Sequence, residues 1–276
     1  MNIGTSEALV LLAVVLMGLL AFLLVRSGRQ SQTDAWASAH GIVLNDRTAQ
    51  IAEAYLQRNA RFRVTGAVLG FVLPLGSDVP GLEMIGGYLA GAILAEVTAR
   101  PIVHSREARA SLVPRELGQY IPAYAIKLFR TLSIAAAAVA MTWYVVPEGR
   151  DRSTDPEIGP VAAAAGAIVL LLIVEASLRY ILRRPQPAAE ASLLELDDAI
   201  RSASMHATIG AGIGIAFLLL GASTWAVGFR SDIEVLRWIA PFAGIFCLFA
   251  GISFWAQLGH DTPWRVKRTH LPPVDA

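Results

Sequence analysis

The chain has 276 residues, 55% of them hydrophobic and only 16% charged, with a mean hydropathy of +0.52. Soluble globular domains carry about 25% charged residues, so this composition excludes one, and apolar runs between short charged stretches exclude disorder and a coiled coil. A net charge of +1 is too small to argue for nucleic acid. The fold class expected is an all-α, polytopic transmembrane helical bundle.

The first apolar run, Ala8 to Val25, is long enough to span. Glu7 precedes it and Arg26 and Arg29 follow, the reverse of a secretory signal, so it reads as an uncleaved membrane anchor over residues 1–25. Residues 26–63 read as a cytoplasmic amphipathic segment. A helix is expected from about Thr48, with Ile51, Tyr55 and Phe62 on one face and Arg58, Arg61 and Arg63 in its last turns. The block from Val64 to Val97 is broken by Pro74, Gly76, Ser77, Asp78, Pro80 and Gly81, giving either two crossings or a re-entrant hairpin.

Four further runs follow: Thr131 to Val146, Ile158 to Val174, Ala207 to Val227 and Trp238 to Leu258. Pro114 suits a first helical position, and Pro122 is expected to interrupt that helix two turns later. Ser192-Leu-Leu-Glu195 forms a capping-box pattern ahead of Leu196 and Ile200, predicting a further interfacial helix. The sum is about seven spans, with residues 64–258 as a six-helix core and 259–276 as a tail. Lys and Arg number nineteen in one set of alternate connections and four in the other. The positive-inside bias therefore puts the N-terminus outside and the C-terminus in the cytoplasm.

An internal repeat is suggested by Glu96-Val-Thr-Ala-Arg100 and Glu175-Ala-Ser-Leu-Arg179, each an E-x-x-x-R closing an apolar run. Ala108-Arg-Ala-Ser111-Leu112 and Ala189-Glu-Ala-Ser192-Leu193 follow them at nearly the same distance. The unit is a hairpin plus a cytoplasmic segment, repeated in parallel, with the last two helices as a diverged third copy.

The candidate inner-interface charged sites are Glu96, Arg100, Glu175, Arg179, Arg183 and Arg184. Acid four residues before base is the favourable helical order, and the arginines suit anionic lipid headgroups or simply anchor helix ends. Glu83, set inside an apolar run one turn from Pro80, is the candidate outer-mouth acid. No catalytic, cofactor or metal residues are assigned: the five histidines lie outside the runs or at their edges, Cys247 is the only cysteine, and no zinc-protease or Walker A pattern occurs. Three G-x-x-x-G patterns, Gly66 to Gly70, Gly87 to Gly91 and Gly210 to Gly214, are expected to pack helices closely.

Trp36 through Asp46 (WASAHGIVLND), Gly87-Tyr-Leu-Ala-Gly91 leading to Glu96, and Ser111-Leu-Val-Pro-Arg115 resemble a group of uncharacterised polytopic inner-membrane proteins of high-GC Gram-positive bacteria. The resemblance lies mainly in the N-terminal half. It implies a bacterial plasma membrane and no activity. Two functional expectations stand. One is a non-enzymatic, permease-like or accessory membrane component engaging a cytoplasmic partner. The other is an embedded enzyme or carrier acting on a lipid headgroup, which needs Glu96 and Glu175 to converge in one cavity.

Overall fold

The computed structural model describes residues 29–72, 82–98, 116–146, 159–185 and 191–260. Among them the fold is all-helical: α1 (Arg29–His40), α2 (Asp46–Val72), α3 (Leu82–Val97), a 3-10 turn (Leu117–Gln119), α4 (Ala123–Thr142), α5 (Gly159–Arg183), α6 (Ala191–Arg230) and α7 (Glu234–His260). Helices α4 to α7 are long and apolar enough to cross a membrane. The expected anchor at 1–25, Pro114 and most of the tail lie outside the described residues.

Arms α2 and α3 do not join that set of four. Helix α3 has 16 residues, about 24 Å of rise against a hydrocarbon core of about 30 Å. Helix α2 carries its charges through Arg63, leaving only the nine residues Val64 to Val72 as its apolar end.

Several helix ends differ from the sequence expectation. The boundary drawn at residue 63 falls inside α2, and the separate helix expected from Ser192 is the start of α6, which runs unbroken for 40 residues. At 1.5 Å per residue α6 is about 60 Å long, roughly twice the hydrocarbon core. Polar side chains in its first turns are buried against other helices, as described below, so they give no reason for a break. Pro122 begins a helix instead of interrupting one: it is the extended N-cap residue of α4, where its missing N–H costs nothing.

Local signals fix the join between α1 and α2. Gly41 adopts φ +65°, with Gly41 N–H donating to Ser38 O and Ile42 N–H to Ala37 O, the paired bonds of a glycine-terminated helix. Asn45 then caps α2: its Oδ1 accepts from Thr48 N–H at 2.8 Å, and Thr48 Oγ1 accepts from Asn45 N–H at 2.7 Å. The chain thus reverses within a few residues, and Trp36 of α1 comes to lie 6.1 Å from the Tyr55 ring of α2.

Helix α6 is the hub, packed against α2, α3, α4, α5 and α7. Its first turns join α1 and α2 in a small cluster of Ala52, Tyr55, Leu196 and Ile200, while Phe129, Val174, Leu178, Met205 and Ile209 belong to the main core. The glycine patterns of the α2/α3 hairpin pack as expected. A Cβ on Gly87 would collide with the carbonyl oxygen of Gly66, and one on Gly70 with that of Glu83. On the other side of the bundle Gly214, Gly221 and Gly228 of α6, seven residues apart, meet Gly251, Gly244 and Ala240 of α7. The outer face of α7 carries Trp238, Phe242, Phe246 and Phe249, each more than 60% exposed. Such a stripe suits lipid rather than water.

Two adjacent glycines test the close packing. A methyl group added at Gly86 would have nothing within 4 Å, whereas one at Gly87 would meet backbone. Gly86→Ala is expected to hold or raise the melting temperature of the detergent-purified protein, because alanine favours helix by about 1 kcal/mol. Gly87→Ala is expected to lower it through overpacking worth about 1–3 kcal/mol.

Candidate functional site

The most concentrated polar chemistry lies where α2, α3, α5 and α6 meet. Glu96, in the last turn of α3, is completely buried. Its Oε1 accepts from Tyr55 Oη at 3.0 Å and Asn59 Nδ2 at 2.7 Å, and its Oε2 accepts from Ser204 Oγ at 2.5 Å. One carboxylate therefore ties α2 and α6 to α3. Burial, with the Glu96 charge next in importance, pushes the Tyr55 phenol above its ordinary range, so it remains a donor.

Two arginines close helix ends around this tie. Arg201 of α6, 2% exposed, donates to Ile181 O at 2.5 Å, Leu182 O at 3.1 Å and Arg184 O at 3.1 Å, and to Asp197 Oδ2 at 2.8 Å. It satisfies the carbonyls that the end of α5 leaves without helical partners, and its positive charge suits that negative pole. Arg184 in turn donates to the backbone carbonyl of Glu96 at the end of α3 and lies over the Tyr180 ring. Burial pulls its guanidinium below the ordinary value, with Glu96 opposing. At the same end of the bundle Tyr120 Oη donates to Asp198 of α6.

The other candidate residues are placed differently. Glu175 of α5 pairs with Arg130 of α4 at 2.6 Å and with Arg179 at 3.7 Å, its side chain 14% exposed. Arg183 is exposed in the last turn of α5, and among the described residues it forms no ion pair with Glu96 or Glu175. Arg100 lies outside the described residues. Glu83 occupies the half-exposed first turn of α3, where an acid suits the helix dipole. Among the described residues Glu96 and Glu175 share no hydrogen-bond partner: one is enclosed by α2 and α6, the other bridges α4 and α5. Arg184, which touches Glu96, lies just past the end of α5, nine positions beyond Glu175.

Sequence reasoning did not pick out Tyr55, Asn59, Asp197, Arg201 or Ser204 as site residues. The nearest legible signal was Asp197 and Arg201 at the i,i+4 spacing, beside a run of small polar residues to Thr208. His206, at the edge of an apolar run, is only 4% exposed, its Nδ1 against Ser202 O at 2.9 Å. Its face of α6 is buried because the hub helix has neighbours nearly all round. Separately, an apolar cleft of about 300 Å³ lies between the α2/α3 hairpin and the α6/α7 pair, lined by Ala67, Tyr88, Leu89, Leu218 and Trp255 among others. Among the described residues no charged side chain lines it. Set beside known proteins, the chain matches no family model, no curated protein and no solved structure.

Removing the central acceptor has a calculable consequence. Glu96→Ala leaves three buried donors without it, at about 1–3 kcal/mol for each that finds no other partner. A large fall in melting temperature in detergent is expected, a smaller one for Glu96→Gln, and little change for Glu175→Gln, whose pair reaches solvent.

Proposed function

We propose that the protein is a multi-pass component of a bacterial cell membrane, permease-like or accessory rather than enzymatic, that engages a cytoplasmic partner. In this reading the N-terminus is outside, and the Glu96 end of the bundle faces the cytoplasm. The observation that carries it is α6: one helix of about 60 Å, longer than the hydrocarbon core, whose first turns hold α1 and the start of α2; in this reading those turns project beyond the core. Whatever binds that projecting module is joined rigidly to the membrane helices through the same helix.

The chemistry of the Glu96 tie supports the same conclusion. Both carboxylate oxygens are occupied by donors of the chain itself, the residue is fully buried, and the apolar cleft offers no charged reacting group. An enzyme of the inner interface would need the two E-x-x-x-R glutamates in one cavity, and their partners are separate. The consecutive packing of α2 with α3, α4 with α5 and α6 with α7 supports a chain built from three hairpin units, although Glu96 and Glu175 are used differently in the first two. The resemblance to inner-membrane proteins of high-GC Gram-positive bacteria agrees with this location.

The tip of the projecting module is the place to test it. Val43, in the connection between α1 and α2, is 90% exposed. Affinity purification of the full chain in mild detergent is expected to enrich a cytoplasmic protein over a tag-only control. Val43→Glu is expected to reduce that enrichment about tenfold, a loss of about 1.4 kcal/mol, with the melting temperature unchanged. Enrichment of no cytoplasmic protein by the wild type contradicts the reading.

A further inference from the structure

Helices α4 and α5 each present one outward stripe that changes character along its length. On α4 the exposed positions run Met141, Ile134, then Arg130, with Lys127 one turn further on. On α5 they run Ile168, Leu172, then Arg179, with Arg183 one turn further on. The apolar parts belong to helices able to cross a membrane. Both stripes turn basic at the same end of the bundle, because the Arg130–Glu175 pair bridges the two helices there at 2.6 Å. Exposed Tyr124 and Tyr180 flank the basic residues, the side chains favoured at headgroup level.

Charge and geometry at this place are unusual for simple anchoring. Between them α4 and α5 contain four basic residues, Lys127, Arg130, Arg179 and Arg183, and a single acid, Glu175. Glu175 sets its two oxygens against guanidinium groups from two different helices, Arg130 and Arg179. The two arginines are thereby held side by side, 50% and 65% exposed, with N–H groups left over for a second anion. Planar forks so arranged match the oxygens of a phosphodiester.

We infer that this face binds one anionic phospholipid, its phosphate on Arg130 and Arg179 with Lys127 and Arg183 adding charge, and its chains along Ile134, Ile168 and Leu172. Hydrocarbon already lies against the apolar stretch of the stripe, so the headgroup of that same lipid reaches the basic stretch without further movement. Glu175 acts here as a positioning residue. The inference rests on the membrane location alone; a missing cytoplasmic partner leaves it intact.

The test uses the purified full chain in mixed nanodiscs of phosphatidylglycerol and phosphatidylcholine, with retained lipid counted by native mass spectrometry. The wild type is expected to retain phosphatidylglycerol preferentially, and excess inorganic phosphate to leave that lipid in place. Arg130→Gln with Arg179→Gln is expected to reduce the preference about 30-fold, the effect of two basic residues at a membrane surface. Because that variant also unpairs Glu175, Lys127→Gln with Arg183→Gln, which leaves the pair intact, is measured beside it and is expected to lose preference as well. Arg237→Gln, at the opposite end of the bundle, is expected to change nothing. An unchanged preference in both double variants overturns the inference. So does an equal loss in Arg237→Gln, or displacement of the lipid by phosphate.

Discussion

A buried carboxylate must have donors, and in this protein that requirement decides how one end of the bundle is assembled. Glu96 finds Tyr55, Asn59 and Ser204, two from α2 and one from α6. The rest of the arrangement there follows from it. Helix α3 must end beside α6, Arg184 reaches the Glu96 carbonyl at the end of α3, and Arg201 reaches the last carbonyls of α5. Helix ends that would face water in a soluble protein are here closed by arginines from neighbouring elements, and no ligand is needed to complete them.

The opposite end is held by different means. Arg230 of α6 lies 4.6 Å over the Trp143 ring, and α6 meets α7 along small residues spaced seven apart. Small residues let backbones approach closely where burial of apolar surface gives no drive between helices in lipid. Polar bonds at one end and close backbone contact at the other give a bundle that can be stiff at its membrane-crossing helices while presenting α1 and the start of α2 as a separate small module. That division of labour is the basis of the binding role proposed above.

What was legible in the sequence was whatever depends on local composition. The apolar runs located α4 to α7, Gly66 to Gly70 and Gly87 to Gly91 announced the tight hairpin, and E-x-x-x-R marked Glu175 and Arg179 as a real pair. The failures were of two physical kinds. Helix ends were misjudged where polar residues such as Ser202 and Arg201 sit inside a hub helix, since a sequence window cannot distinguish a polar residue facing water from one bonded to another helix. Partners were missed where they lie far apart in the chain: Glu96 was matched with Arg100, four residues on, while its bonds go 41, 37 and 108 residues away. Glu175 shows the same thing in part, because its closer partner, Arg130, lies 45 residues back.

The central claim is that a single carboxylate joins α2 to α6, and a double-mutant cycle measures it most directly. Asn59→Ala removes a donor on one oxygen of Glu96, and Ser204→Ala removes the donor on the other. The account predicts that their destabilisations in detergent fail to add, with a coupling of about 1 kcal/mol or more, as for residues of one network. Simple additivity, within about 0.3 kcal/mol, would contradict it.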